Sequence, residues 1–405
     1  MKVLQINAVN GIRSTGRTKT EIADWFNQNG HEGYVAYSGG LPYKKGYKIG
    51  SGFEKKLHAL LSRALGKQAY FSSKGTRRLI DYTNRIQPDV VHLGNLHGNF
   101  IHIGMLLEYL AKNDMPTVLT LHDCWFYTGK CSHYTVDNCY RWKIGCGKCP
   151  RLKKDNNSWI FDCTAQMLAD KKKWFSKIPR LAVIGVSDWI TNEAKASILK
   201  DAKIITKIYN WIDLNTFKSV NALQQKQELG IADKFVVLGV SSGWSNSKGL
   251  DSFKMLSEVL PKDMVIVMVG AMKTKTDLND NVIHISETHD VKEMATYYSM
   301  ADVFLNLSKE ESFGKVTAEA LACGTPVIAL NSTANPELVG ENCGYVLENT
   351  DLETIINALK RIKEHGKDHF SPFCTAYAKE QFNMEDRISD TLKLYQRLIE
   401  LKVTL

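Results

Sequence analysis

The stretch SKEESFGKVTAEALACGTPV, residues 308–327, is the part of the sequence that most strongly decides the fold. Its pattern predicts a loop, a helix, a turn and the start of a strand, because Ser312 is a suitable N-cap, Gly324 can end the helix and Pro326 prevents its continuation. The apolar run 303–307 precedes it and predicts another strand. A strand, a helix and a second strand in this order are the repeating unit of a parallel α/β sheet.

The same alternation extends over the whole chain. Apolar strand patterns separated by amphipathic helices occur in both halves, and the predicted strands are residues 3–9, 35–37, 90–93, 117–121, 182–186, 235–240, 264–269, 282–285, 303–307 and 327–330. Strands that alternate with helices form parallel sheets covered on both faces. We therefore predict an α/β protein of two doubly wound, Rossmann-like domains that face each other across a cleft.

Length and composition support two globular domains. The chain has 405 residues, of which 44% are hydrophobic and 23% charged, and a domain usually has roughly 100 to 200 residues. The predicted organisation is an N-terminal domain at 1–210 with a cysteine-rich insertion at 124–150, a C-terminal domain at 211–381, and a helical segment at 382–405 that crosses back to the first domain. No apolar run approaches the roughly 18 residues of a transmembrane helix, and the N-terminus has no apolar signal core, so a cytoplasmic location is expected.

The charges are unevenly distributed along the chain. Residues 1–200 carry 30 Lys and Arg against 15 Asp and Glu, a net +15, whereas the remaining residues carry 22 against 28, a net −6. A basic half predicts an acidic partner such as nucleic acid, an anionic membrane or an acidic substrate. Nucleic acid fits least, because no aromatic residues are interleaved with the basic ones as a stacking platform.

An amphipathic helix is predicted within this basic half, in FEKKLHALLSRALGKQ at residues 53–68. Its apolar residues share one face and its basic residues lie largely elsewhere. Two alternatives are open: the helix lies in an anionic membrane surface, or it packs on the sheet and leaves a solvated basic face.

Two carboxylates, one in the predicted helix and one in the loop before it, are the candidate ligand-binding groups of the 308–327 stretch. Glu319 lies among small apolar residues, where a buried carboxylate is costly unless something binds it. Glu311 stands eight positions earlier in the loop, so both can flank one ligand, while the backbone N–H groups of Phe313 and Gly314 face an anion at the helix N-terminus. The alternative is a helix whose Glu319 reaches solvent.

A cation is expected beside these carboxylates. Lys248 follows the predicted strand 235–240 in the loop SSGWSNSKG, residues 241–249, and the carboxyl ends of parallel strands form the ligand-binding edge. A lysine there can stabilise charge that develops on a phosphate, or it is a solvated residue before a helix.

The arrangement of Glu311 and Glu319 within ESFG and AEALACGTPV closely resembles the signature of glycosyltransferase family 4, whose members have the GT-B fold. The resemblance covers nearly the whole chain and is strongest to bacterial enzymes that build capsular or extracellular polysaccharide. It includes NGIRSTGRT at 10–18, HLGNLHG at 92–98, TLHDCWFYTG at 120–129, GVSDWI at 185–190 and YNWID at 209–213.

This resemblance implies a hexosyltransferase-type enzyme that transfers sugar with retention from a UDP- or GDP-sugar to a saccharide or lipid-linked saccharide, with no cofactor required for catalysis. It implies that His122 and Glu311 are catalytic and that Glu319 holds the ribose. The implied donor-binding residues are Gly16, Ser242, Lys248, Ser312, Phe313, Gly314 and Glu319. The family often has an arginine a few residues before the lysine, where this sequence has Trp244, so another basic residue serves or the phosphate site is weaker.

Two other functions fit parts of the sequence. The loop 10–18 superficially matches a phosphate-binding loop, with Gly11, Gly16, Arg17 and Thr18, although the lysine of that motif is missing. An NTPase is therefore one alternative. A non-catalytic protein that binds a nucleotide sugar or a membrane is the other.

The cysteines suggest a metal site. Cys131, Cys139, Cys146 and Cys149 lie close together in the sequence, and the last two form a Cys-x2-Cys turn. Four thiolates suit tetrahedral zinc in a structural role, although the first pair is spaced more widely than in ordinary zinc ribbons. The alternative is a set of packed thiols.

Overall fold

A computed structural model describes residues 1–272, 278–288 and 290–401 of the chain. The chain divides into two compact units. The first comprises Met1–Ile208 and the residues from Ile388 onward, and the second is Tyr209–Arg387. The sequence had placed this boundary after residue 210 and the start of the returning segment at 382; the last four residues of that segment lie outside the described residues.

The first unit contains a seven-stranded sheet in which all neighbouring strands are parallel, in the order β3-β2-β1-β4-β5-β6-β7. Continuous apolar runs make β4, β5 and β6 fully buried. The strands are β1 (Lys2–Asn10), β2 (Glu32–Gly40), β3 (Gly46–Lys48), β4 (Val90–Leu93), β5 (Thr117–Leu121), β6 (Leu181–Gly185) and β7 (Ile204–Lys207). The helices are α1 (Arg13–Gln28), α2 (Gly52–Leu65), α3 (Ser73–Ile86), α4 (Ile103–Lys112), α5 (Thr164–Phe175) and α6 (Asp188–Lys195).

The second unit contains a six-stranded parallel sheet in the order β10-β9-β8-β11-β12-β13. Its strands are β8 (Phe235–Gly243), β9 (Met264–Ala271), β10 (Val282–Ile285), β11 (Val303–Asn306), β12 (Val327–Leu330) and β13 (Gly344–Leu347). Its helices are α7 (Leu223–Glu228), α8 (Leu250–Val259), α9 (Val291–Met300), α10 (Lys315–Ala322), α11 (Leu352–His365) and α12 (Lys367–Phe382). α13 (Met384–Glu400) begins here and continues into the first unit. Two parallel α/β sheets confirm the predicted pair of Rossmann-like domains.

Each sheet has one point at which the strand order reverses. It lies between β1 and β4 in the first unit and between β8 and β11 in the second. Open α/β sheets bind ligands outside the carboxyl ends of the strands at such a point. The loops that follow β8 and β11 are therefore the candidate binding loops of the second unit, and those that follow β1, β4 and β5 are the candidates in the first.

Most of the predicted loop at residues 10–18 is helical. Helix α1 begins at Arg13, so only Gly11 and Ile12 lie between β1 and the helix. Gly16 lies inside α1, where a Cβ would come within 3.1 Å of the Val9 carbonyl oxygen of β1. Within the described part of the chain, no helix combines the length and hydropathy needed to cross a bilayer.

Candidate functional site

The loops after β8 and β11 meet at the strand-order reversal of the second unit. The first is a short 3-10 turn, Asn246–Lys248, and the second runs over residues 307–314. The backbone N–H of Lys309 donates to the carbonyl oxygen of Ser247 at 2.8 Å, and Ser308 Oγ reaches the same oxygen at 3.5 Å. These bonds join the two loops into one polar edge.

Lys248 and Glu311 form an ion pair on this edge. Lys248 Nζ lies 2.5 Å from Glu311 Oε1 and also donates to Ser308 Oγ at 3.3 Å. The side chains are 33% and 18% exposed, respectively, so both charged groups are accessible to a ligand. The structure thus brings together the cation and the loop carboxylate that the sequence analysis selected.

Buried amides hold the loop after β11 in place. Asn306, the last residue of β11, accepts a hydrogen bond from the backbone N–H of Ser308 at 3.1 Å and donates to Asn335 Oδ1 at 3.3 Å. Asn335 donates in turn to the Ser308 carbonyl oxygen at 2.7 Å. Neither asparagine was predicted as a site residue; the available signal was an amide at the end of an otherwise apolar strand.

The N-terminus of α10 is built differently from the prediction. The N-cap is Gly314, with a φ of +86°, and not Ser312. A left-handed backbone conformation at this position favours glycine, and with Gly314 as the N-cap the helix starts two residues later than predicted. Ser312 is buried, and within the described residues its Oγ has no hydrogen-bond partner. A buried hydroxyl without a partner is unusual in a folded protein.

The side chain of Phe313 belongs to the core. Its ring packs against Tyr209 and Phe382 at centroid distances of 5.8 and 5.5 Å, and it is buried. A ligand at this edge can therefore meet the Phe313 backbone but not its ring.

Glu319 is buried in α10 and accepts a hydrogen bond from the Tyr298 hydroxyl at 2.9 Å. This bond offsets part of the cost of burying a carboxylate. Tyr298 lies on α9, 21 positions away, and no local pattern identified it. The alternative that Glu319 is simply solvated is wrong.

Trp244 is a core residue. Its indole N–H donates to the Val269 carbonyl oxygen at 3.2 Å, and its ring packs edge-on against Phe253. Trp244 therefore does not take the place of a phosphate-binding arginine. Ser242, at the end of β8, is exposed.

Two histidines lie near the carboxyl ends of β4 and β5 in the first unit. His122 follows β5 directly and is half-buried. His97 Nε2 lies 2.8 Å from Asp123 Oδ2. Burial lowers the pKa of His97, but the charge and hydrogen bond of Asp123 outweigh burial, so the pKa of His97 is raised. His122 was predicted as a site residue, whereas the His97–Asp123 pair was not.

A second buried network reaches α13. Lys19 Nζ lies 2.9 Å from His92 Nε2, and His92 Nδ1 lies 2.5 Å from the Tyr395 hydroxyl. His92 Nε2 is also 2.6 Å from Thr120 Oγ1. Burial lowers the pKa of Lys19 to about 7. Burial, followed by the charges of Lys19 and His122, holds the pKa of His92 well below its usual range.

The glycine loop does not form a phosphate-binding loop. Between β1 and α1 only Gly11 and Ile12 are non-helical, and the Gly11 N–H is bonded to the Gly16 carbonyl oxygen and to Thr20 Oγ1. A P-loop needs a longer glycine-rich loop whose backbone N–H groups point at the phosphates. The interpretation of residues 10–18 as a P-loop is therefore wrong.

The four clustered cysteines line one pocket. Cys131, Cys139, Cys146 and Cys149 share it with residues that include Lys130 and Trp142. Cys131 donates a hydrogen bond to the Cys149 sulfur, which lowers the pKa of Cys149 to about 7. In the described ranges, no three His, Cys, Asp or Glu side chains are arranged to hold a metal ion. The structure thus gathers the thiols without closing a coordination shell.

The comparisons with known proteins agree with this fold. Residues 222–379, within the second unit, match the family described as Glycosyl transferases group 1. The putative colanic acid biosynthesis glycosyl transferase WcaC of Escherichia coli is 24% identical over 69% of this chain and 68% of its own length. The chain spans between about one third and two thirds of the length of the first curated relatives it matches.

Solved structures match over nearly the whole chain. A sucrose-phosphate synthase from Thermosynechococcus elongatus superimposes with a TM-score of 0.70 at 16% identity and covers 98% of both chains. Anabaena HepE in complex with UDP gives 0.66 at 15% identity, with 98% of this chain and 100% of that chain covered. These comparisons show the GT-B fold and, with the family match, support a group 1 glycosyltransferase.

Proposed function

We propose that the protein is a hexosyltransferase that moves a sugar from a nucleotide-sugar donor, a UDP- or GDP-sugar, to a saccharide or lipid-linked saccharide acceptor. The observation that carries this proposal is the contact of Lys248 with Glu311 at the strand-order reversal, within the region that matches the group 1 glycosyltransferases. The UDP bound to the structurally similar HepE supports a nucleotide donor.

Lys248 is the proposed diphosphate partner. When the bond between the sugar and the diphosphate breaks, negative charge accumulates on the phosphate oxygens, and a fixed cation stabilises that charge. Lys248 is held in position by Glu311 and Ser308. The first backbone N–H groups of α10 point out of the helix and add a favourable field for an anion.

The two glutamates have different proposed roles. Glu311 is in the partly exposed loop and would contact the donor sugar, whereas Glu319 is buried beside Tyr298 and would bind the ribose hydroxyls. The unbonded hydroxyl of Ser312, the amides of Phe313 and Gly314, and Ser242 would complete the donor site. His122 and Gly16 in the first unit stay predictions of the family resemblance.

The proposed chemistry is front-face transfer with retention. The acceptor hydroxyl oxygen bonds to the anomeric carbon on the face from which the diphosphate leaves, and its proton passes to a phosphate oxygen. The diphosphate takes the electron pair of the broken bond. Analysis of the product's anomeric configuration by NMR tests this step; an inverted product contradicts it.

The proposed setting is capsular or extracellular polysaccharide biosynthesis at the cytoplasmic side of the membrane. The similarity to the colanic acid protein WcaC supports it, as does the net charge of +15 in residues 1–200, which suits an acceptor carried on an anionic membrane.

The donor is identified by a thermal-shift screen of UDP-, GDP-, ADP- and CMP-sugars, because a ligand that binds the folded state raises its melting temperature. We expect a shift with one UDP- or GDP-sugar and transfer from that donor to a saccharide acceptor. If no nucleotide sugar shifts the wild type, the donor proposal is wrong. A shift without transfer to any acceptor favours a non-catalytic binding protein.

We also propose that Cys131, Cys139, Cys146 and Cys149 bind a structural zinc ion with no part in transfer. Binding requires the thiols to rearrange around the shared pocket, because in the described residues no three of them are placed to hold a metal ion. They belong to the long segment between β5 and α5, whose only regular element is a 3-10 turn at Arg141–Lys143 in this fully described stretch. Long irregular segments in compact domains are uncommon, and a cross-link stabilises them.

Elemental analysis tests the zinc proposal. We expect about one zinc per chain, lost in Cys149→Ser and retained in Cys163→Ser, because Cys163 lies in the same segment but outside the pocket. Less than about one zinc per ten chains in the wild type contradicts the proposal.

A further inference from the structure

Helix α2 exposes its apolar face. Its buried residues are the polar His58 and Ser62, and His58 Nδ1 lies 2.7 Å from Ser72 Oγ. The large apolar residues point to solvent: Phe53 is 77%, Leu57 44%, Leu60 49% and Leu65 44% exposed. A surface helix normally buries its apolar stripe against the core. The alternative in which this stripe packs on the sheet is therefore wrong.

A second exposed apolar segment adjoins the C-terminal end of α2. Trp159, Ile160 and Phe161 are 48%, 68% and 52% exposed. The Trp159 N–H donates to the Arg63 carbonyl oxygen of α2 at 2.7 Å. A Cβ on Gly66, directly after α2, would lie 2.2 Å from the Phe161 carbonyl oxygen, so the two segments are in close contact.

These seven side chains form one surface, which we call the α2 face: Phe53, Leu57, Leu60, Leu65, Trp159, Ile160 and Phe161. Single exposed apolar residues are ordinary on a soluble protein, but a contiguous group marks an interaction site. Tryptophan and phenylalanine are also the residues that settle at the boundary between lipid headgroups and acyl chains.

The charges beside the α2 face are mostly positive. Lys56 and Arg63 of α2 are exposed, and Lys67 follows the helix. The acidic residue of α2, Glu54, is engaged within the protein, because its Oε1 accepts the Gly75 N–H at 2.9 Å. A basic rim beside an apolar face complements anionic lipid, since each Lys or Arg near such a surface is attracted to the negative headgroups.

The same charges disfavour a second copy of this chain as the occupant. In a twofold-symmetric dimer formed through the α2 face, each copy would contact the other with this same surface. Lys56 and Arg63 of one copy would then lie close to Lys56 and Arg63 of the second copy. Like charges brought together at an interface oppose association.

We propose that the α2 face docks the protein onto an anionic phospholipid bilayer, with the apolar side chains entering the headgroup boundary and the basic residues contacting lipid phosphates. This docking is independent of the donor site, which lies in the second unit, so either proposal can fail without the other.

Vesicle co-sedimentation of the full chain tests the docking. We expect binding to vesicles of phosphatidylcholine containing phosphatidylglycerol, weaker binding at high salt, and little binding to phosphatidylcholine alone. Absence of binding to the phosphatidylglycerol vesicles at low salt overturns the proposal.

Paired substitutions locate the surface. The double variant Phe53→Ser/Ile160→Ser should lower vesicle partitioning by about tenfold or more, because two large apolar side chains no longer leave water on docking. Leu223→Ser is the matched control, because Leu223 is 54% exposed in the second unit. Both sets replace exposed residues, so the melting temperatures should match that of the wild type.

Two further results decide the occupant. Lys56→Gln/Arg63→Gln should weaken binding to phosphatidylglycerol vesicles and reduce its salt dependence, whereas Lys262→Gln in the second unit should not. Equal vesicle binding by the wild type and the Phe53→Ser/Ile160→Ser variant overturns the proposal. A dimer in solution that this variant dissociates, without vesicle binding, assigns the α2 face to a second copy instead.

Discussion

The polar residues at the carboxyl edges of the two sheets differ in how far apart they lie in the sequence. In the second unit, one ion pair and a few amides supply the candidate donor site, and Glu311, Ser312 and Glu319 all come from one short stretch of sequence. In the first unit, Lys19, His92 and Tyr395 meet in one buried network although 73 and 303 positions separate His92 from its two partners.

This difference has a functional meaning. The second edge keeps its charged groups partly exposed and bonded to one another, which suits a site that exchanges these bonds for a ligand. The first edge buries a lysine and a histidine against the returning helix α13, which suits a structural role. The following predictions test this division, in order of decreasing effect.

Removing Lys248 should have the largest effect. Lys248→Ala deletes charge-assisted bonds to the donor worth roughly 1.5–3 kcal/mol, so turnover should fall about tenfold to a hundredfold. Initial-rate kinetics with the donor found by the thermal-shift screen measure the loss. Lys262→Ala, an exposed lysine of the same unit, is the control. Unchanged kinetics in Lys248→Ala would remove Lys248 from the site.

Lys19, a buried lysine of the first unit, should make stability depend on pH. Burial lowers the pKa of Lys19 to about 7 from 10.5, so between these values the unfolded chain binds more protons and stability rises with pH. From pH 7 to 9 this amounts to about 2 kcal/mol in the free energy of unfolding.

Chemical denaturation at both pH values measures this effect as a difference between proteins. The rise should be about 2 kcal/mol smaller in Lys19→Met than in the wild type, whereas Lys74→Met, at an exposed lysine of the same unit, should show the full wild-type rise. The other buried lysines contribute equally to the pH dependence of all three proteins, so their contributions cancel when the proteins are compared. A wild-type rise that Lys19→Met retains would mean that Lys19 is solvated.

The amide support of the donor edge should have a smaller effect. Asn335→Ala removes the bond to the Ser308 carbonyl oxygen and should lower the free energy of unfolding by about 1 kcal/mol. Because the loop that carries Glu311 is then less fixed, the KM for the donor should rise more than kcat falls. Asn349→Ala, at an exposed position of the same unit, provides the comparison. Equal kinetics in the two variants would show that the amides do not position this loop.

The sequence predicted the elements whose formation depends on residues close together in the chain. The strands β4, β5, β10 and β12 were predicted at both ends. Three of them, β4, β5 and β12, are buried along their whole length, and continuous burial leaves a clear apolar pattern. The strands β3, β7 and β13 were missed. Each is a short strand at a sheet edge with exposed or half-buried positions, so none has a continuous apolar pattern.

The sequence could not show which side chains and elements pack against each other. The amphipathic pattern of α2 identified an apolar face but not the side of the helix that the protein covers. The bond from Tyr298 to Glu319 and the bonds around His92 depend on tertiary contacts between distant elements. A single sequence carries no pattern for such contacts.

The His97–Asp123 pair gives the smallest and most specific test of the first edge. Burial is the largest influence on the pKa of His97 and lowers it, and Asp123 alone among the named neighbouring side chains raises it above 6.5. Asp123→Asn removes that charge and leaves only a weaker backbone hydrogen bond to oppose burial and the charge of Lys171. The pKa of His97 should therefore fall below 6.5, as followed by NMR of the imidazole. His102, whose pKa burial already lowers, is an internal reference that should not move.

The His97–Asp123 pair should also make the stability of the folded protein depend on pH. Because the folded-state pKa of His97 is raised and that of Asp123 is lowered, the attraction is complete between about pH 4 and 6.5. It is lost as the pH rises through the folded-state pKa of His97 or falls through that of Asp123. The wild type should therefore exceed Asp123→Asn in stability most clearly within this window. A difference that does not vary with pH would mean that Asp123 acts through its hydrogen bond to the Trp125 N–H and not through His97.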